Sequence, residues 1–128
     1  MQQWVRLIPF AKDIRELYSV ANLFVLCSER EGMGCCVIEA MAMGVPTVVS
    51  NSGGLPELVQ HGSTGFLVPA GDAGALCKQI IEVLANHEAR SRVVQKARLL
   101  TERRFDARKT AGHVMELYER LLRRSAET

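Results

Sequence analysis

Apolar and polar positions fall in short blocks along this chain. Leu23-Phe24-Val25-Leu26 is a continuous apolar run, the pattern of a strand covered on both faces. Thr47-Val48-Val49-Ser50 is β-branched and predicts a second strand, and Phe66-Leu67-Val68, bounded by Gly65 and Pro69, predicts a third. Val5-Arg6-Leu7-Ile8, ended by Pro9, predicts one more short strand near the start. Helical patterns alternate with these runs. One covers 13–20 with Asp13 as its cap, one covers 35–43 and is stopped by Gly44, and a short one covers 55–60 with Pro56 in its first turn. The rest is helical. Asp72 caps a helix over about 73–85, with Leu76, Ile80 and Leu84 on one face. A second helix runs over about 88–102. A third runs over about 107–123, where Val114, Leu117, Tyr118, Leu121 and Leu122 fall at i, i+3, i+4, i+7 and i+8.

Short strands alternating with helices imply an α/β fold with a parallel, doubly wound sheet. The whole of 1–128 reads as a single domain with a helical C-terminal part over about 73–124. In such sheets ligands bind beyond the carboxyl ends of the strands. Segments 27–35, 50–57 and 69–72 follow strand ends here. The first of them leads into the run Glu31-Gly32-Met33-Gly34-Cys35-Cys36-Val37-Ile38-Glu39. Glycines at a strand-to-helix turn let backbone N–H groups approach a ligand closely. Glu31 before the helix and Glu39 about one turn inside it set two carboxylates around one helix N-terminus. Carboxylates there accept hydrogen bonds from sugar hydroxyls. Gly53, Gly54 and Glu57 fit a tight turn and a helix-start carboxylate, and Gly62 and Gly65 fit turns. Ser28 and Ser50 end strands at the mouth of this region, where a ligand contact and backbone capping both remain open.

Composition narrows the picture. Nearly half of the residues are hydrophobic, at 48%, so the chain is globular in character. It shows neither an apolar run of membrane-spanning length nor a charged-then-apolar leader, so a cytoplasmic location is expected, with peripheral membrane contact left open. Residues 1–88 carry 5 basic and 9 acidic side chains, a net −4, and residues 89–128 carry 11 and 5, a net +6. The basic positions alternate with acids and apolar residues and have no aromatic stacking platform, so they read as a solvated helix face and not as a nucleic-acid surface. Cys27, Cys35, Cys36 and Cys77 form no C-x-x-C pair, and His61, His87 and His113 are scattered, so no metal site and no histidine-based triad is expected.

The run from Glu31 to Gly44 resembles the signature of the retaining, nucleotide-sugar-dependent glycosyltransferases of group 1 (family four), which have the GT-B fold. The resemblance continues in register through Val45–Ser50, Gly53–Val59 and Gly62–Val68, and upstream through Ile14–Asn22 to Val25–Ser28. It implies a Rossmann-like donor-binding domain, present here in its later part. By that resemblance Glu31 would act on the donor sugar as the catalytic-site carboxylate. Backbone N–H groups along Gly32, Met33, Gly34 and Cys35 would meet the sugar and diphosphate, and Glu39 would hold the ribose hydroxyls. The donor would be a nucleotide diphospho-sugar, used with no cofactor and no metal. The absence of a D-x-D pair agrees, because backbone dipoles and cationic side chains then offset the diphosphate charge.

Cys27 stands where the family commonly has proline and Met33 where it has an aromatic residue, which bears on sugar preference. The resemblance lacks the acceptor domain and the early strands that supply a basic pair to the diphosphate. Arg6, Lys12 and Arg15 precede the motif. The expected partners are therefore a nucleotide-sugar and either an acceptor-domain chain or a second copy meeting an exposed sheet edge. A non-catalytic nucleotide-sugar-binding or oligomerisation module is the alternative. Unpaired strand edges invite pairing between chains. The chain alone is accordingly expected to dimerise or rearrange its sheet, and a monodisperse monomer by light scattering at micromolar concentration would contradict this.

Overall fold

A computed structural model describes residues 2–126. After a 3₁₀ turn at Gln2–Trp4, the elements run α1 (Ile14–Val20), β1 (Phe24–Leu26), α2 (Cys35–Ala42), β2 (Thr47–Ser50), α3 (Leu55–Leu58), β3 (Phe66–Val68), α4 (Ala73–Ala85), α5 (His87–Arg104) and α6 (Ala107–Ala126). The strands form a parallel sheet in the order β1-β2-β3. Val25 lies opposite Val48, and Val49 lies opposite both Leu26 and Leu67. This is the alternating α/β, doubly wound arrangement that the sequence pattern predicts.

The central strand decides how the layers form. All four residues of β2 are buried, so both of its faces must be covered. Alternation along the strand sends Val49 to one face and Val48 to the other. On the first face Val49 packs with Val37 and Met41 of α2, Leu55 and Leu58 of α3, Val59, and Ala97 of α5. On the second face Val48 packs with Val68 and Val83, joined by Leu76 of α4. A third cluster sets Tyr18 of α1 against Ala40, Val45 and Phe24. The seam of α5 on the core is narrow: Val93, Ala97 and Thr101, each four residues on from the last, are its buried positions.

Two expectations need correction. Val5–Ile8 is not a strand. Its residues are in irregular structure with Leu7 92% exposed. The local pattern is strand-like, but no neighbour takes up its backbone hydrogen bonds among the described residues, and a strand without a partner does not form. On α4 the position turned most fully inward is Val83, at 3% exposure, while Leu84 is 44% exposed. The core-facing stripe is thus rotated from the Leu76–Ile80–Leu84 line, although Leu76 remains in it. The apolar stripe predicted on α6 exists as a periodicity, but Val114, Leu117, Tyr118, Leu121 and Leu122 are all exposed.

These placements separate two kinds of leucine. Leu55→Ala removes a fully buried side chain and is expected to destabilise the chain by roughly 2–5 kcal/mol. Leu122→Ala, at an exposed position, is expected to change stability by less than about 0.5 kcal/mol. Urea denaturation midpoints measure both.

Candidate functional site

The strand ends meet through a small network of backbone and serine contacts. The Ser28 carbonyl, two residues after β1, accepts from Ser50 Oγ at 2.5 Å and from Ser52 Oγ at 2.8 Å. Asn51 N–H donates to the Val68 carbonyl at 2.7 Å, which ties the end of β2 to the end of β3. Ser50 is therefore spent on backbone capping. Gly54 N–H donates to the Glu31 carbonyl at 3.0 Å. At this junction the two backbones pass so closely that a Cβ on Gly53 would collide with the Glu31 carbonyl, and one on Gly54 with the Gly32 carbonyl. Gly53 also has φ +53°, the left-handed region that favours glycine. This glycine pair thus seats the loop that carries Glu31. The Glu31 carboxylate itself is half-buried, and Ser28 Oγ donates to its Oε2 at 3.4 Å.

The loop ends at Gly34, which is buried and left-handed at φ 61°, ψ 47°, and forms the N-cap of α2. A Cβ there would sit 2.7 Å from Leu55 Cδ2, so the cap position is closed to larger residues. Being glycine, it offers no side-chain oxygen to the helix. Most other helices here have one. Asp13, Asp72 and Asn86 accept from Arg15, Ala75 and Ala89 N–H at the starts of α1, α4 and α5, and Asp106 accepts from Arg108 N–H in α6. In α2 the Gly34 carbonyl takes Val37 N–H at 2.9 Å and Ile38 N–H at 3.3 Å. The N–H groups of Cys35 and Cys36 are left over, as helix geometry requires. They carry the positive end of the helix dipole and suit an anion.

Both glutamates bear on this first turn. Burial pushes the Cys36 thiol above its usual range, and the Glu31 and Glu39 carboxylates push it the same way. Cys36 is thus a poor thiolate, and its neighbours are two carboxylates flanking one helix start. Glu39 is exposed on the next turn of α2, and its Oε2 accepts from the Tyr18 hydroxyl at 3.2 Å. That hydroxyl also faces the Cys36 carbonyl at 3.1 Å. Glu39 lines a groove of about 430 Å³ with Lys12, Arg15, Tyr18 and Met43. Arg15 there is held by Asp13, with Nη2 2.6 Å from Oδ2. On the far side of the strand ends, Cys27, Ser50, Pro69 and Leu76 line a smaller cavity of about 170 Å³. Among the described residues no group of three or more His, Cys, Asp or Glu side chains is arranged to hold a metal.

A family model described as glycosyl transferases group 1 matches residues 1–100. The chain belongs to this family. Among solved structures, this group 1 chain is similar to HepE of Anabaena in complex with UDP, with a TM-score of 0.83 and 29% identity over 86% of this chain and 30% of that one. It is similar to sucrose-phosphate synthase of Thermosynechococcus elongatus, with a TM-score of 0.81 and 35% identity over 85% and 27% of the two chains. Among curated proteins, it is 34% identical over 111 residues to N-acetyl-alpha-D-glucosaminyl L-malate synthase of Bacillus anthracis, covering 87% of this chain and 29% of that protein. The chain therefore spans about 30% of the length of the relatives it matches. The likeness places it with the Rossmann-like C-terminal domains of GT-B glycosyltransferases.

In the structure Glu31 precedes Gly34, the N-cap of α2, and Glu39 stands about one turn inside the helix, on a groove that residues 31–35 do not line. The structure adds Tyr18, which the sequence pattern leaves without a role. Nothing local links Tyr18 to residues 18 and 21 positions further on; only the packing of α1 on α2 does. Burial first, then the Glu39 carboxylate, pushes the Tyr18 phenol up to about 12 from an ordinary value of 10.0. A folded-state value above the unfolded one favours the fold while the phenol stays protonated. That contribution is complete below about pH 10 and is lost as the pH rises toward 12. Tyr18→Phe is therefore expected to reduce the fall in urea midpoint between about pH 9 and pH 11.5, compared with the unsubstituted chain.

Proposed function

We propose that this chain is the donor-binding part of a glycosyltransferase and that its ligand is a nucleotide diphospho-sugar. The observation that carries the reading is the start of α2, where N–H groups without a side-chain cap lie between two carboxylates. An N-terminus of that kind accepts the diphosphate, and the flanking carboxylates accept hydrogen bonds from hydroxyls on either side of it. Membership of group 1 and the similarity to an enzyme solved with UDP support the same assignment.

In this reading Glu31 orients the donor sugar and is the catalytic-site carboxylate. The backbone of Gly32, Met33, Gly34 and Cys35 meets the sugar and diphosphate, and Glu39 holds the ribose hydroxyls. The complete enzyme transfers the glycosyl group to a hydroxyl acceptor with retention, through an oxocarbenium-like transition state. The helix dipole and cationic side chains, without a metal ion, steady the departing diphosphate. The acceptor side comes from a further domain or partner chain, and the unpaired edge of β1 is the surface through which strands of that partner or of a second copy add. No helix among the described residues is long and apolar enough to cross a membrane. The site is assigned to the cytoplasm, where nucleotide-sugars are made.

Calorimetric titration of the purified chain with UDP-, GDP- and ADP-sugars tests this. One nucleotide class is expected to bind, and Glu39→Ala is expected to weaken it by roughly tenfold or more, the effect of removing hydrogen bonds to a charged group. A folded chain that binds none of them would overturn the donor assignment and favour the oligomerisation module.

A further inference from the structure

Tyr18 is the only side chain hydrogen-bonded to Glu39 among the described residues, and it is itself held rigidly. Its ring is 6% exposed and packs with Ala40 and Val45, and against Phe24 with centroids 6.0 Å apart. Its single hydroxyl proton is shared between the Cys36 carbonyl at 3.1 Å and Glu39 Oε2 at 3.2 Å. The first acceptor is backbone in the first turn of α2, the same turn whose N–H groups remain uncapped. The second is the carboxylate one turn further on. One phenol therefore fixes the direction of the Glu39 side chain relative to the helix start. Glu39 Oε1 is left without a hydrogen bond among the described residues, beside a groove.

A solvent-exposed glutamate ordinarily samples several rotamers, and ordering one on ligand binding lowers affinity roughly two- to tenfold. A buried donor that holds the carboxylate beforehand removes part of that cost. Binding then tightens through preorganisation, with no contact between the donor and the ligand. The geometry points to Tyr18 as a positioning residue that presets the Glu39 carboxylate for the vicinal hydroxyls of the nucleotide ribose, so that it sets the preference for a ribonucleotide. The inference rests on the donor reading of Glu39 and deepens it. In this arrangement Tyr18 acts through Glu39. The phenol stays protonated through the neutral range, so its proton remains available to the carboxylate.

The test has two arms, both on the purified chain with Tyr18→Phe, which keeps the ring and its packing and removes the hydroxyl alone. The first needs no ligand: three-bond couplings across the Glu39 χ1 angle, measured by NMR. One rotamer is expected in the unsubstituted chain and averaging in Tyr18→Phe. Averaging in both, or order in both, would overturn the inference. The second compares UDP with 2′,3′-dideoxy-UDP by calorimetry. The unsubstituted chain is expected to prefer UDP, and Tyr18→Phe to lose roughly two- to tenfold in UDP affinity, the range set by reordering one side chain, with little change for the dideoxy analogue. Equal loss for both nucleotides would make Tyr18 merely structural and overturn the inference. A preference for UDP that survives Tyr18→Phe but is abolished by Glu39→Gln would overturn it while leaving the ribose role of Glu39 intact. No preference in the unsubstituted chain would remove the ribose role itself, and the inference with it.

Discussion

The close approach of two backbones, Gly53–Gly54 against Glu31–Gly32, is the constraint on which the site depends. It joins the loop after β1 to the loop after β2 at a separation that admits no Cβ. Buried backbone groups must find partners, and here the Gly54 N–H finds the Glu31 carbonyl. The direction of the Glu31 loop is set by that bond and by the serine hydroxyls on the Ser28 carbonyl. A larger residue at either glycine would move the loop away from the core, and with it the start of α2. These glycines therefore shape the wall of the candidate site. Direct contact with a ligand is not needed to account for them.

The second consequence concerns α2. A left-handed glycine at its N-cap cannot satisfy the first N–H groups by a side chain. Asp13, Asp72, Asn86 and Asp106 do that work elsewhere. Capping residues usually favour a helix by about 1 kcal/mol. α2 does without that contribution and compensates by burying Val37, Ala40 and Met41 against the sheet and α5. Here α2 departs from the local rules of helix design, which favour a side-chain cap. Glu31 stands before the first turn of α2 and Glu39 follows it by one turn.

Much of the framework was legible in the chain because it depends on local pattern. The three β-branched or apolar runs became β1, β2 and β3, and Asp13 and Asp72 capped the helices that follow them. Gly-x-Gly between Glu31 and Glu39 located the loop and the helix start for the same reason: spacing on one short segment fixes relative placement. Pattern failed where the answer lies elsewhere in the chain. Val5–Ile8 has strand character, but a strand is made by its neighbour. Val83 replaced Leu84 in the core of α4 because the sheet surface, not the helix, decides which part of a broad apolar stripe is covered. Tyr18 was invisible for the same reason. Its partners belong to another helix, and an isolated tyrosine in a short amphipathic segment reads as a core residue, which it also is.

Helix α6 carries that argument furthest. Its periodicity is as clear as that of any helix in the chain, yet every residue from 107 to 124 is exposed. The ion pair on it between Arg123 and Glu119, at 3.8 Å and exposed, adds little to stability. Most helical stability in proteins comes from packing an amphipathic face, which α6 does not do among the described residues. The apolar stripe of α6 is therefore a demand for cover that the rest of the described chain does not meet. The exposed flank of β1 makes a similar demand, because Val25 lies opposite buried Val48 yet is itself 36% exposed. The residues that complete a small core are well supplied with partners, whereas the surfaces that lack them lie at the first strand and the last helix. A chain built this way concentrates its order around the β1–α2–β2 unit, which is where the uncapped helix start and its two carboxylates are held.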